Sequence, residues 1–564
     1  MAKKNKNKNQ SGPIVIYKAE NVIAYIYLIL MFAVFPLFYR NNYINITASK
    51  LGFFSISTIA TGVILLLTML FKRFTGGGVS SRIKERPVEK AEDVEKKPLI
   101  KRLLDKISLQ ERFIGLFAIT VLISWLGTLL LDYPEYEAEG TTIFRAAFDG
   151  SYGKQAGAYF FFVLVLAFII VSKLVVYNEW IVEAYLWVNM IVFGLAILNH
   201  FMIDPLHMYE NLVEDQYWMF ISTMGNINVL AGYFCVFVPF AVGLFIEAKK
   251  LDEQLSYLFF IIVAFMGIIA ANADSAIIGL FAALLFLLWF SFKDLRSLGR
   301  YFLALGIFFL SAALLGYMDS TAEKVKEPLE TLPSLIANSA VNRVCLLVFL
   351  LIGAVLLYIE KKKPEMAELI SGRLLLVRKV LFIALAVIVA GGFGLFIYLS
   401  TAGRDIELGG WSTYLRFSDA WGSSRGFTWS RTVALYGDYL NVFQKLFGFG
   451  PELFRIPMHD VYDAEVLERM GAVLVDAHNE FLELLLTLGL AGVVCWYGFI
   501  FTSLYRIVKE RSCNMVLIPI AAGMVGYIVE SMLTSPQTFS TPVFILMTAL
   551  GIATVKYFRA EQEK

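Results

Sequence analysis

The chain has 564 residues, of which 58% are hydrophobic and 15% aromatic, while only 17% are charged. Its mean hydropathy of +0.66 is far above that of an ordinary soluble domain. The formal net charge is only +2, and the basic residues cluster in particular loops instead of covering one face, which argues against nucleic acid as a partner. Length and composition together predict a polytopic membrane protein.

Residues 1–21 are rich in Lys and Asn and lack a small-residue cleavage site, so we interpret them as a cytoplasmic basic arm and not as a cleaved signal peptide. Apolar stretches of about 17 to 25 residues can cross a bilayer as helices. We predict an all-α fold with about fourteen transmembrane helices, at residues 22–39, 52–71, 113–131, 157–176, 180–198, 227–245, 255–271, 276–290, 301–317, 344–358, 380–399, 481–505, 515–532 and 542–555.

The charges of the connecting loops predict the orientation of the chain. Every second loop carries an excess of Lys and Arg, which is typical of cytoplasmic loops, and these loops are residues 72–112, 249–250, 293–300, 361–379 and 509–511 and the tail from residue 556. Both termini are therefore predicted to be cytoplasmic. Residues 22–399 would form a transmembrane bundle with a flexible charged linker at about 72–112, and residues 481–564 the C-terminal helices and tail.

Residues 400–480 form a long, partly helical loop on the predicted extracytoplasmic side. Basic residues there run against the usual topological bias, so they invite a chemical explanation. Arg425 and Arg431 lie six residues apart, and a turn between them could bring two guanidinium groups to one diphosphate; the alternative is pairing with Asp419 and Asp438 at the surface. Apolar spacing predicts an amphipathic helix over residues 428–447, and Gly448 and Gly450 predict a tight turn after it.

His478 closes this loop immediately before a hydrophobic stretch. An imidazole has an ordinary pKa of about 6.5, so it suits a general base near neutral pH. The alternative is structural, because Asp476, His478 and Asn479 stand where a helix would be capped. Trp429 is interpreted as a packing or interfacial anchor in preference to a platform for sugar.

Several motifs occur in a characteristic order between residues 225 and 492. They are Gly225-Asn226-Ile227-Asn228, Arg425-x3-Trp429, Gly448-x-Gly450-x3-Phe454 and His478-Asn479-x-Phe481-Leu482-x6-Gly489-Leu490-x-Gly492. In this order the sequence resembles the O-antigen ligase and O-antigen polymerase superfamily of bacterial membrane glycosyltransferases. None of the motifs is specific when taken singly.

The resemblance implies transfer of a glycan from a polyprenyl-diphosphate carrier to a sugar hydroxyl, on the outer face of the cytoplasmic (inner) membrane. It implies no metal, no nucleotide sugar and no cofactor. His478 would be the general base and Arg425 and Arg431 would bind diphosphate, with Asn479, Trp429, Gly448 and Gly450 in supporting roles. Expected partners are the lipid-linked oligosaccharide, a glycan acceptor and membrane lipids, and candidate protein partners are a chain-length regulator or a flippase.

The sequence departs from the family pattern at one place. Many members carry a Ser-Arg pair at the start of the span that follows the Gly-Asn-x-Asn helix, whereas this chain has Asn272-Ala273-Asp274-Ser275-Ala276. One expected contact to diphosphate is therefore missing. Arg343, at the predicted outer end of a later span, is a candidate replacement.

Three functions remain open from the sequence. A repeat-unit polymerase is preferred to a ligase because nothing in the chain requires a lipid A acceptor. A flippase or exporter of lipid-linked glycans would fit the number of spans but would leave the arginine-bearing loop unexplained. A metal-dependent glycosyltransferase would need acids such as Asp132, Glu135 and Glu137 in an early external loop; no residue pattern here predicts a metal site.

Overall fold

The computed structural model describes residues 18–75, 107–133, 141–150, 154–471 and 473–562. The basic arm up to residue 17 and most of the charged linker lie outside the described residues. Within them the fold is all-α apart from one short antiparallel pair, in which β1 (Phe220–Ile221) pairs with β2 (Gly225–Asn226). The predicted class, an all-α polytopic membrane protein, is confirmed.

The helices that precede the long loop are α1 (Ala19–Ile29), α2 (Ile46–Phe74), α3 (Leu109–Gly127), α4 (Ile143–Asp149), α5 (Ala158–Leu174), α6 (Glu179–His200), α7 (Ile227–Glu247), α8 (Leu251–Ala270), α9 (Asp274–Ser291), α10 (Leu295–Thr321), α11 (Thr331–Asn338), α12 (Ala340–Lys362) and α13 (Pro364–Ser400). The loop contains α14 (Ser412–Leu415), α15 (Trp421–Ala434), α16 (Val442–Phe447) and α17 (Arg455–Met470). The chain continues with α18 (Glu480–Thr487), α19 (Gly489–Lys509), α20 (Leu517–Glu530) and α21 (Ser540–Gln562).

Eleven helices of the described residues are long and apolar enough to cross a membrane. Three shorter apolar helices, α1 with its π-helical extension to Val34, α5 and α20, coincide with further predicted spans. Each of the fourteen predicted stretches therefore lies on helix, because length and hydropathy alone suffice to identify a segment that can satisfy its own backbone inside lipid.

Two predicted helices are wrong in their bounds. Residues 481–505 are divided between α18 and α19, because Gly489 adopts φ +68 and ends the helical path. Residues 428–447 are not one helix either: α15 continues as a π-helix to Tyr439, and Asn441 then starts α16 by accepting a hydrogen bond from the backbone of Gln444 (2.9 Å). A new N-cap therefore interrupts the amphipathic pattern.

Helix α7 is buried along its whole apolar length and forms the centre of the bundle, packed mainly against α20, α9 and α8. The long loop has a second apolar core of its own, which includes Phe427, Phe449 and Phe454 and continues into Leu486 of α18. Ala146 and Ala147 of α4 belong to the same core. The loop is therefore folded onto one end of the bundle, which we call the site end.

Candidate active site

His478 is held by the carboxylate of Asp476. Its ring Nδ1 lies 3.1 Å from Asp476 Oδ1, and its backbone N–H donates to the same oxygen (2.7 Å). The residue adopts φ +47, a conformation that costs about 1 kcal/mol in a non-glycine residue, so the surrounding contacts fix an otherwise unfavourable geometry. With Nδ1 turned towards the carboxylate, Nε2 of the half-exposed ring is the nitrogen that can accept a proton.

Asp476 is buried, and both of its carboxylate oxygens have a partner. Ser535 Oγ donates to its Oδ1 (2.9 Å), and the buried Nζ of Lys154 contacts its Oδ2. Burial would raise the pKa of Asp476, but the ammonium of Lys154 outweighs it and holds that pKa well below the ordinary value. Asp476 is therefore a permanent anion that orients the imidazole.

The pKa of His478 is lowered. The Asp476 carboxylate favours the protonated ring, but partial burial and the positive charges of Lys154 and Arg425 together outweigh that attraction. The imidazole is consequently neutral at physiological pH, which is the state that a general base requires.

Lys154 reaches the Asp476 and His478 pair, which we call the centre, from the short segment between α4 and α5. Burial opposes its charge, but the carboxylates of Asp476, Glu483 and Glu452 outweigh burial and raise the pKa of Lys154. Glu483 also accepts the backbone N–H of Ala477 (2.8 Å), so it fixes the chain just before His478. The centre is thus a buried network of opposite charges and not a single ion pair.

Arg425 faces the same centre from α15. Three residues before it, Gly422, Ser423 and Ser424, are left-handed, and Arg425 Nη1 donates to the carbonyl of Gly422 (3.1 Å). Its Nε is buried and has no hydrogen-bond partner within the described residues. A buried donor left without a partner costs about 1 to 3 kcal/mol, so Arg425 Nε is a candidate contact for an anionic ligand.

The charge environment of Arg425 is acidic. Burial lowers the pKa of its guanidinium, while the carboxylates of Asp274, Asp476 and Glu530 act in the opposite direction. Arginine nevertheless remains protonated at any physiological pH. A cation that is kept charged and poorly hydrated can attract an anionic group strongly.

Asn479 and Trp429 support the His478 segment. The side chain of Asn479 caps α18 by accepting the backbone N–H of Leu482 (3.0 Å), and its Nδ2 donates to the carbonyl of Met532 (2.9 Å). Trp429 Nε1 donates to the carbonyl of Ala477 (3.1 Å). The predicted capping role therefore belongs to Asn479, while the side chain of His478 is left for the site.

Gly448 and Gly450 lie at the C-terminal end of α18, whereas His478 precedes its N-terminal end. The backbone N–H groups of Phe449 and Gly450 donate to the carbonyls of Leu486 and Thr487 (2.9 and 3.1 Å). These carbonyls lose their helical partners at the Gly489 break, so the Gly-x-Gly turn satisfies them. A Cβ at Gly448 would lie 2.1 Å from the carbonyl oxygen of Thr487, which explains why glycine is needed there.

The other two predicted arginines do not join Arg425. Arg431 is ion-paired with Glu465 (2.8 Å) and Asp419 (3.6 Å), and its guanidinium lies over the ring of Phe427 (4.9 Å). Arg343 is exposed at the start of α12, a helix that packs mainly against α10 and not against the loop. The structure therefore brings together His478, Arg425, Trp429 and Asn479 and leaves Arg431 and Arg343 elsewhere.

Sequence reasoning missed Lys154, Glu483 and Ser535 and treated Asp476 only as a cap. One signal was available for Lys154, since a lysine in a short loop on the predicted outer side runs against the topological bias. No group of three or more potential metal ligands occurs within the described residues; Glu135 and Glu137 lie outside them.

Comparison of the chain with protein-family models and with curated protein sequences finds no match. The resemblance therefore rests on the sequence motifs alone.

Proposed function

We propose that the protein transfers a glycan from a polyprenyl-diphosphate carrier to a sugar hydroxyl on the extracytoplasmic face of the cytoplasmic membrane, as a polymerase of polysaccharide repeat units. The observation that supports this proposal best is an oriented imidazole close enough to feel the charge of Arg425, a guanidinium whose buried Nε has no partner within the described residues. A base and an anion-binding cation at one end of a membrane bundle are the two groups that such a transfer needs.

The roles follow from the geometry. His478 Nε2 takes the proton of the acceptor hydroxyl as its oxygen bonds to the anomeric carbon, and the bond from that carbon to the diphosphate oxygen breaks with its electron pair. Arg425 stabilises the charge that grows on the leaving diphosphate. Asp476 stabilises the imidazolium until the proton passes to water, and direct displacement inverts the anomeric configuration.

The proposal is tested with the purified protein in liposomes containing a polyprenyl-diphosphate-linked repeat unit. We expect longer lipid-linked glycans to form at the same rate with and without a chelator, since neither His478 nor Arg425 requires a metal. Transfer only to an added non-identical acceptor would favour a ligase. Movement of the unchanged substrate across the bilayer without new glycosidic bonds would favour an exporter and contradict the proposal.

Arg425 and Arg431 offer a matched pair of variants. Arg425→Ala should weaken binding of a polyprenyl-diphosphate probe about 10-fold or more, because a hydrogen bond to a charged group contributes about 1.5 to 3 kcal/mol. Arg431→Ala should change the Kd less than about 2-fold, since its guanidinium is already paired with Glu465. The Kd is measured in detergent with a fluorescent probe.

Arg425→Lys serves as the control for folding, because it keeps the positive charge among the neighbouring carboxylates but loses the planar fork. Equal weakening by the Arg425→Ala and Arg431→Ala variants would contradict the assignment of Arg425 to the diphosphate.

A further inference from the structure

A cavity of about 340 Å³ opens where four helices of the bundle meet. Its wall is formed by the C-terminal ends of α7 and α12 and by the N-terminal ends of α10 and α13, all of them long and apolar enough to cross a membrane. The basic side chains of the lining are Lys249, Lys293, Arg296 and Arg300. We call this space the basic cavity.

The basic cavity and the candidate active site lie at opposite ends of the bundle. Ser371 of α13 lines the cavity, whereas Phe396 of the same helix packs on Trp421 of α15, with ring centroids 5.9 Å apart. Ser371 and Phe396 are 25 residues apart, which corresponds to about 37 Å along a helix axis and falls between the thickness of the hydrocarbon core and that of the whole bilayer. The cavity therefore lies at the level of the lipid headgroups, on the surface away from the long loop.

The lining of the basic cavity carries more positive charge than its own carboxylates neutralise. Lys293 Nζ donates to Glu247 (2.6 Å), and Arg296 Nη2 donates to Glu360 (2.6 Å). The third carboxylate, that of Asp294, caps α10 by accepting a backbone N–H of that helix (2.7 Å). The other two basic side chains of the lining have no ion pair within the described residues. An anion that enters the cavity would therefore be bound by side chains, since the N-terminus of α10 is already capped.

Arg300 is the buried cation of this lining, with only 7% of its surface exposed. Its Nη1 donates to the carbonyls of Ile246 (3.1 Å) and Ala248, where α7 ends. Both of its hydrogen bonds within the described residues come from Nη1, so Nε and Nη2 are left for a ligand. These two nitrogens form one edge of the guanidinium fork, the edge that binds two oxygens of a phosphate at once.

We propose that the basic cavity binds the headgroup of an anionic phospholipid, with the lipid phosphate at Arg300 and Lys249. The inference is independent of the proposed function. Ile246, Leu295 and Ala367 add an apolar wall to the cavity, which matches a ligand that is anionic at its phosphate and apolar beyond it. Its volume lies within the range of about 300 to 1,000 Å³ that is usual for small-molecule sites. Basic pockets between helices at a membrane surface suit anionic headgroups.

Two adjacent lysines provide a matched test. Both are exposed, but Lys249 lines the basic cavity without an ion pair, whereas Lys250 lies outside the lining and pairs with Glu253 (3.0 Å). The full-length protein in detergent is titrated with dioctanoyl-phosphatidylglycerol, and the bound lipid is counted by native mass spectrometry. We expect Lys249→Ala to raise the Kd about 5-fold and Lys250→Ala to raise it less than about 2-fold, because only the first removes a cation from the cavity.

Dioctanoyl-phosphatidylcholine is the zwitterionic control, and it should bind at least about 5-fold more weakly than phosphatidylglycerol. Equal weakening by the two lysine variants, or equal affinity for the two lipids, would overturn the assignment. Displacement of phosphatidylglycerol by millimolar inorganic phosphate would show that the cavity takes a free anion, and it would overturn the assignment to a lipid.

Arg300→Lys tests the guanidinium while keeping the positive charge. It should raise the Kd for phosphatidylglycerol at least about 5-fold, because one ammonium cannot replace the fork that faces the phosphate while Nη1 caps α7. Thermal unfolding of each variant without added lipid checks the fold, and the lysine pair decides the proposal if Arg300→Lys unfolds. Unchanged affinity in a folded Arg300→Lys variant would contradict the placement of the phosphate at Arg300.

Discussion

Replacing His478 with Ala is expected to lower the rate of glycan transfer by about 10²- to 10⁴-fold, the usual contribution of a general base. The carrier should still bind with nearly unchanged affinity, because Arg425 remains. The matched control is His459→Ala, which removes an imidazole of the same loop that is paired with Asp463 and lies on α17. That control should retain at least about half of the activity, measured as incorporation of repeat units into longer glycans.

The pH dependence of the transfer rate is a second test of His478. The pKa of His478 is lowered below its ordinary value, so the ring stays neutral, and the rate stays constant, as the pH falls towards about 6.5. Activity should decline only below that pH, as the imidazole gains a proton. The decline should disappear from the residual activity of His478→Ala. Full activity of His478→Ala, or an unchanged acid decline in it, would remove His478 from the reaction.

The spans were predictable from sequence because membrane insertion depends on a property that accumulates along the chain. About 20 apolar residues must follow one another, whatever they later contact. The break between α18 and α19 was not predictable in the same way, since hydropathy is continuous across Leu488 and Gly489. It depends on the carbonyls of Leu486 and Thr487, which receive their hydrogen bonds from the remote Gly448 turn.

The site was predictable only where its chemistry lies in one short segment. His478 and Asn479 follow each other, so the sequence assigned both to the candidate site. Arg425 and Arg431 are the same residue type and have similar neighbours in the sequence. The difference between them lies in their positions in the fold. The left-handed residues 422–424 precede Arg425, whose Nε is buried without a partner among the described residues, whereas Arg431 on the same helix is ion-paired with Glu465 on α17.

Lys154 shows why the remainder could not be predicted. It belongs to a segment that contains no motif. Most helices of the bundle lie between it and its partner Asp476 in the sequence. Only the packing of α4 against the long loop brings the two together. The contact between the buried Nζ of Lys154 and a buried carboxylate can be recognised from the fold, but not from the residues next to Lys154 in the sequence.

Replacing Lys154 with Met is expected to destabilise the protein by about 3 to 5 kcal/mol, because it leaves Asp476 buried without its counter-ion. Lys173→Met is the matched control: Lys173 pairs with Glu111 but is 45% exposed, and an exposed pair contributes less than about 1 kcal/mol. Thermal unfolding in detergent distinguishes the two. A comparable loss in both variants would contradict a special role for the buried pair.

A double variant separates the structural role of Lys154 from its effect on His478. Lys154→Met with Asp476→Asn removes both charges, so it should recover much of the stability while the imidazole loses its orienting anion and activity stays low. In Lys154→Met alone, loss of the nearby positive charge should raise the pKa of His478, because that charge disfavours the imidazolium. The acid decline of the rate would then move to higher pH, and Lys154→Arg should restore it. An acid decline that stays in place in Lys154→Met would show that Lys154 holds the fold together without acting on the base.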